Sequence, residues 1–387
     1  MKFGNFTSAT VAVGQADLTS GRPNRGGSAA ANTLSGPYGD PVVHNGVLYL
    51  PDFDNNRVLG FTTVPKVSGA SADFVLGQPD FTSIASGNGA NQLYGPQTVR
   101  YYNGKLFLSD YNNSRILIWN TPPTTTQAPA DIVVGQTGFG ADSPATSQSR
   151  LNYPESILVV NGKLIVADSG NNRVLIWNSI PAASGAPADL VLGQGDFTHN
   201  AANDDDQNGS ADAAPTARTM QYPSGIWSDG TRLVVCDSDN NRVLIWNTFP
   251  TTSFQSADRV LGQRDFAHNA PNDDNQDGAS DATPSARTLY FPYFVDSNGL
   301  QLFLSDYSNN RVLVWNTFPI TNFQSADRVL GQGDFTHNAY NDDNQDGIPN
   351  ANLTARTLSS PTGIYLYGNK LFVGEASNHR YLIFEAQ

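Results

Sequence analysis

Three stretches of the chain carry oxygen-bearing side chains at one fixed spacing: NDDDQNGSAD at 203–212, NDDNQDGASD at 272–281 and NDDNQDGIPN at 341–350. Each places donors at alternate positions, then a glycine, then a further donor three residues on. The first offers Asp204, Asp206, Asn208 and Asp212 around Gly209. The second offers Asp273, Asn275, Asp277 and Asp281 around Gly278, and the third Asp342, Asn344, Asp346 and Asn350 around Gly347. Alternate oxygens converge on one point when a short segment curls, the glycine takes the sharp turn, and the residue after it presents a backbone carbonyl. Hard oxygen donors in that number suit Ca²⁺ rather than Zn²⁺ or Cu²⁺. The expectation is about two to three structural Ca²⁺ ions per chain, the third loop weakest because Asn350 replaces a carboxylate.

Other chemistry is sparser. His199, His268 and His337 stand just ahead of the three loops, in DFTHNA, DFAHNA and DFTHNA. Equivalent positions in successive repeats lie far apart, so these histidines are expected to cap their own loops rather than to share a metal. Cys236 is the single cysteine, which excludes an intrachain disulfide, and its apolar surroundings mark it as a small buried hydrophobe. No G-x-S-x-G, H-E-x-x-H or phosphate-binding glycine loop is present.

The acidic loops are inserted into a repeat. DSDNNRVLIWN at 237–247 has five relatives, whose arginines are Arg57, Arg115, Arg173, Arg311 and Arg380 beside its own Arg242. Successive arginines are 58, 58, 69, 69 and 69 residues apart, and the extra 11 residues of the longer period are the acidic loop. Within a unit the turn signals delimit four short strands, and in RVLIWN both alternating sets are apolar, Val243 and Ile245 against Leu244 and Trp246. A strand buried on both faces belongs between stacked sheets, and six four-stranded sheets arranged radially make a propeller. The last unit stops at RYLIFEAQ without its fourth strand, whereas TVAVGQADLTS at 10–20 supplies that motif at the other terminus. The reading is therefore all-β: one six-bladed β-propeller over residues 1–387, with antiparallel blades and the N-terminal strand completing the last.

The phrase P-x-G-I … L-x-V-x-D-S-x-N-N-R-V-x-x-W, in six copies, resembles the NHL repeat of six-bladed propellers. The acidic loops resemble the first half of an EF-hand loop. They depart from it at the twelfth position, which is Pro215, Pro284 or Leu353 where a bidentate Glu would stand. With a donor at the ninth position instead, they are similar to the calcium loops of thrombospondin type 3 repeats and integrin α-subunit propellers.

Features found in every blade read as scaffold: the Asp/Arg pair flanking each turn (Glu375/Arg380 in the last), the Trp or Phe ending the third strand, and the Gly-Gln after the fourth. A site would show as asymmetry. The residue after each first-strand proline should face the channel mouth, and these vary: Tyr38, Gln97, Glu155, Ser224, Tyr293 and Thr362. Resemblance to NHL-type propellers implies two enzymatic alternatives. An amidating-lyase-like centre needs several channel histidines, of which only His44 is well placed. A lactonase-like centre could use Glu155 with Asp296 or Asp40.

Composition narrows the rest. A formal net charge of −13 argues against nucleic-acid partners and anionic membranes. No apolar run is long enough to span a bilayer, and MKFGNFTSAT has neither the apolar stretch nor the cleavage site of a signal peptide. Modest calcium sites fill where calcium is millimolar, so the expectation is an extracellular or cell-surface monomer. It would bind a protein or glycan on the rim that carries the loops; a channel hydrolase or lyase is the alternative.

Overall fold

Each repeated arginine opens the third strand of a blade. In the computed structural model, which describes residues 1–386, the units form six four-stranded antiparallel sheets. The fourth unit shows the plan: Pro223–Ser228 innermost, then Leu233–Asp237, Arg242–Trp246 and Arg259–Leu261 at the outer edge. In the last sheet the outer strand is Val11–Val13, which pairs antiparallel with Arg380–Glu385 through Val11↔Ile383, Ala12↔Leu382 and Val13↔Tyr381. The ring is closed by the N-terminal strand, as the missing motif implied. Only three residues of the 10–20 stretch are strand.

The two-faced third strand explains the stacking. Val243 and Ile245 enter the apolar layer shared with the fifth blade (Leu302, Leu304, Leu313, Trp315). Leu244 and Trp246 enter the layer shared with the third (Ile165, Ala167, Val174, Ile176). Each blade thus buries both faces, and its sheet is sealed on either side by a neighbour. Near the axis the innermost strands nearly touch: a Cβ on Gly225 would lie 2.7 Å from the carbonyl oxygen of Tyr293, so only glycine fits there.

The turn motif bears out its scaffold reading. Asp237 and Arg242, both fully buried, pair at 2.7 Å, and Asn240 donates to the other face of the same carboxylate oxygen at 2.8 Å. The remaining guanidinium nitrogens of Arg242 donate to the carbonyls of Phe266, Thr216 and Thr219. One arginine therefore ties the turn to the segments entering and leaving its own blade, with its charge matched and its donors used, as a buried ion requires. Trp246 donates to the Gln255 carbonyl, and Gln263 of the Gly-Gln pair donates to the carbonyls of Asn241 and Ala270.

Candidate functional site

The acidic loops lie between the outer strand of one blade and the inner strand of the next, all on one face of the ring. In the first, Asp204 is buried and its two carboxylate oxygens accept the N–H groups of Asn208 (3.0 Å) and Gly209 (2.8 Å). Asp273 and Asp342 do the same for Asp277 and Gly278, and for Asp346 and Gly347. Each loop is thereby curled around its first aspartate. Gly209, Gly278 and Gly347 take the left-handed backbone that the sharp turn demands (φ 84, 85 and 80°).

The three loops differ in what they gather. Asp204, Asp206 and Asp212 bring one carboxylate oxygen each within 4.8 Å of one another, the one such cluster among the described residues. That donor set is all oxygen and suits a hard cation. In the second and third loops the third position is Asn275 or Asn344, whose amide donates to the carboxylate at the fifth position, Asp277 or Asp346. In the third, Asn350 also donates to Asn344 (3.3 Å), so amide groups stand where the first loop has anions.

The sequence reading fastened these loops through their histidines and missed an arginine in each. The second aspartate of each is held by an arginine thirteen residues on: Asp205 by Arg218, Asp274 by Arg287 and Asp343 by Arg356, at 2.7, 2.8 and 2.7 Å. Each guanidinium also lies over an aromatic ring, Phe254, Phe323 or Phe6. Buried amide pairs, Asn203 with Asn240, Asn272 with Asn309 and Asn341 with Asn378, exchange hydrogen bonds between the loop and the next blade's turn. The signal was visible as the recurring TAR, SAR and TAR at 216–218, 285–287 and 354–356. The histidines stay local: His199, His268 and His337 each meet an aspartate three residues earlier, at 2.7 to 2.8 Å.

The channel mouth opens on the same face. Of the six predicted positions, Glu155, Tyr293 and Gln97 come together at its centre. The Glu155 carboxylate accepts hydrogen bonds from Tyr222 (2.5 Å) and Tyr293 (2.8 Å), and the Gln97 side chain lies beside it. Burial pushes Glu155 up to about 7, against the lowering effect of these donors. Tyr38 stands at the edge of the cavity above with Tyr307, its phenol pushed up to about 12 by burial. Ser224 and Thr362 do not face the opening. Their hydroxyls are short enough to reach the neighbouring strand, donating to the carbonyls of Tyr293 and Pro37 at 2.7 Å.

The wall of the mouth comes from residues outside the six predicted positions. Tyr153, Tyr222 and Phe291 each precede a first-strand proline in the left-handed conformation (φ 51, 52 and 54°). Phe53, Tyr111 and Tyr307 occupy the first position of the Asp-x-x-Asn turn, and Tyr111 meets Tyr222 hydroxyl to hydroxyl at 2.9 Å. Above Glu155, Tyr38, Tyr222, Asp239, Phe291, Tyr293 and Tyr307 line an open cavity of about 370 Å³. Through Tyr307 it adjoins a second, about 500 Å³, lined by Tyr290, Asn310, Tyr340 and four serines. Tyr340, Ser359 and Ser377 carry that one into a third of about 620 Å³ beside the third acidic loop.

Asp40 and Asp296 do not join Glu155. Both lie near Arg100 further down the axis: Arg100 bonds Asp40, and Asp296 lines a cavity of about 340 Å³ with Arg100, Trp227 and Tyr365. Asp296 follows Tyr293 by three residues in the same extended strand, about 10 Å on. Burial pushes Asp296 up to about 7, against Arg100 and the N–H groups of Leu366 and Ser297. His44 stacks on Tyr101, 3.4 Å between ring centres, and makes no cluster. Among the described residues, no group of three histidine, cysteine or acidic side chains able to hold a metal lies in the channel.

The chain is similar in architecture to solved propellers. Virginiamycin B lyase from Staphylococcus aureus is 13% identical, with 92% of this chain and 97% of that chain covered and a TM-score of 0.44. A chain from a nidogen/laminin complex is 15% identical over 72% of this chain and 74% of that one, with a TM-score of 0.37. No curated protein matches. Residues 151–177, which hold the first three strands' worth of the third unit, match the family described as NHL repeat, so at least one blade of this six-bladed propeller carries that repeat.

Proposed function

We propose that the protein is an extracellular binding module, stiffened by Ca²⁺ in its acidic loops, that takes a glycan across its loop-bearing face. The observation that carries this reading is the run of three adjoining cavities from the channel mouth to the third loop. Its walls are mainly tyrosines and hydroxyl or amide side chains, with Phe291 and Asp239 at the mouth and Arg22 and Arg25 at the far end. Tyrosine rings offer apolar faces to the C–H surface of a sugar while serines and asparagines meet its hydroxyls, whereas a protein partner would be expected to cover a broader apolar core. Tyr290 and Tyr340, which line these cavities, are exposed. The calcium reading is supported by the oxygen donor set and the shared curl of the loops; the third site then sits beside the far end of the run.

The test is titration calorimetry against a panel of neutral, acidic and basic oligosaccharides, with Ca²⁺ and with EGTA. The expected result is saturable binding of one class, lost on Tyr340→Ala or Tyr307→Ala and weakened by EGTA. Absence of binding across the panel, or binding that ignores both substitutions, overturns it. A hydrolase or lyase reading has one observation in its favour, the buried Glu155 near 7 beneath the cavity. The other acid at that end is Asp239 at the cavity edge, while Asp40 and Asp296, the partners the sequence offered, lie with Arg100. Cleavage of a bound oligosaccharide that stops with Glu155→Gln would favour it.

A further inference from the structure

The cavity at the channel mouth has a chemical character that the rest of the run lacks. Its lining is five aromatic rings and one carboxylate: Tyr38, Tyr222, Phe291, Tyr293, Tyr307 and Asp239. The rings meet at angles rather than in one stack: Phe291 and Tyr307 are 5.8 Å apart at 63°, and Tyr293 and Tyr307 5.6 Å at 63°. Ring faces therefore turn toward the space from more than one side. One hydroxyl below the floor lies the Glu155 carboxylate, bonded by Tyr222 and Tyr293. Neither acid is neutralised. Glu155 meets only tyrosines and Gln97, and Asp239 only the Gln221 amide at 3.5 Å and the repulsion of Asp237. By contrast, the buried carboxylate that opens each blade turn has an arginine.

We propose that this cup takes an ammonium group, the charged nitrogen of an amino sugar in the glycan of the loop-bearing face. The inference rests on the glycan reading for the rest of the ligand but not for the cation itself. Ring faces attract a cation through their quadrupole, and the attraction grows as water is excluded. The two tyrosine O–H groups donate downward into Glu155, so the negative ends of those dipoles remain on the cavity side. Asp239 supplies a formal charge at the edge. An anion would meet Asp239 and the negative ends of these dipoles, with only the Tyr38 and Tyr307 hydroxyls to compensate its desolvation. The carboxylate sets a pH dependence: a cation favours ionised Glu155, so binding releases a proton below about 7 and tightens as the pH rises. The groups facing Glu155 are Tyr38, Tyr111, Tyr222, Tyr293 and Gln97, and burial raises the four phenols, so they stay neutral through that range.

The experiment uses the full chain and three probes: a trimer of glucosamine, its fully N-acetylated counterpart, and tetramethylammonium, whose charge does not titrate. The free amine trimer is expected to bind at least about tenfold tighter than the acetylated one. Tetramethylammonium should compete, with affinity rising from pH 5.5 to 8.5. Asp239→Asn, at a turn position where other blades carry Asn112, Gly170 or Ser308, should fold normally and weaken both cations. Glu155→Gln should flatten the pH dependence. If the acetylated trimer binds as tightly, the ammonium site falls and the glycan reading stands. If tetramethylammonium binds and neither trimer does, the cation site stands and the glycan falls. If none of the three binds, or if Asp239→Asn changes nothing, the ammonium site is wrong.

Discussion

Removing calcium should lower the melting temperature of this propeller by about 6–10 °C. In the first loop three carboxylate oxygens lie within 4.8 Å of one another, where each pair repels by about 0.9 kcal/mol at the dielectric of water, less with salt. An ion removes that repulsion and adds its own binding. At a hundred times its dissociation constant, one site contributes about 2.7 kcal/mol, so two to three contribute about 5–8 kcal/mol. Unfolding entropy of about 2.1 cal/mol/K per residue, over 387 residues, is about 0.8 kcal/mol/K. The quotient is the stated shift. It is not an unfolding of the loops, because Arg218, Arg287 and Arg356 and the three amide pairs hold them without an ion. The assay is differential scanning calorimetry with millimolar Ca²⁺ and with EGTA, on the native protein and on Asp206→Ala/Asp212→Ala. That pair removes two exposed donors and leaves the buried cap Asp204 in place. The double variant should lose a third to a half of the calcium-dependent part. A shift below about 2 °C, or one reproduced in full by Mg²⁺, would refute the reasoning.

Further outcomes follow from the same geometry. Arg242→Met leaves Asp237 buried without its partner and strands three carbonyls, so chemical denaturation should show a loss of about 3–5 kcal/mol. Glu155 is raised from an ordinary 4.5 to about 7, so its protonated form is the one the fold prefers. That stability is complete below the unfolded value and is lost as pH rises through the folded one. Glu155→Gln should therefore gain roughly 3 kcal/mol on the native protein between acid and pH 8, read from denaturation midpoints. Deleting residues 1–20 bares the Arg380–Glu385 edge and takes the Leu18 carbonyl from Arg380. Light scattering should then show association through that edge rather than a monomer.

The blades were legible because each copy repeats a two-sided apolar strand between turns, and because the spacing of the arginines separates unit from insertion. Both signals are local. Ring closure was legible from a motif missing at one end and spare at the other. The site was legible only in part. Glu155, Ser224 and Thr362 occupy one position in three blades, and side-chain length decides the outcome: the hydroxyls reach a neighbouring carbonyl, while the longer carboxylate reaches the tyrosines. The aromatic wall was hidden by its repetition, since Tyr111 and Tyr307 fill a turn position that holds Ser, Phe or Ala elsewhere. Aromatics before Pro154, Pro223 and Pro292, against Gly or Ser before the others, were the available sign of asymmetry. Arg218, Arg287 and Arg356 could have been placed from charge balance alone, as the cations that crowded aspartates require.

The strand that closes the ring has a consequence for how the protein is made. Val11 pairs with Ile383, so this strand leaves the ribosome 372 residues ahead of its partner. Five blades can form from neighbouring sequence as they emerge, but the sixth joins the two ends of the chain. Such a contact comes late, because a chain of this length must be brought end to end before the pairing returns anything. During synthesis the Val11–Val13 strand is therefore a free edge beside a growing stack of sheets, open to the same strand of another nascent chain. Slow translation or crowded expression should favour swapped rings, in which one molecule's first strand completes its neighbour's last blade.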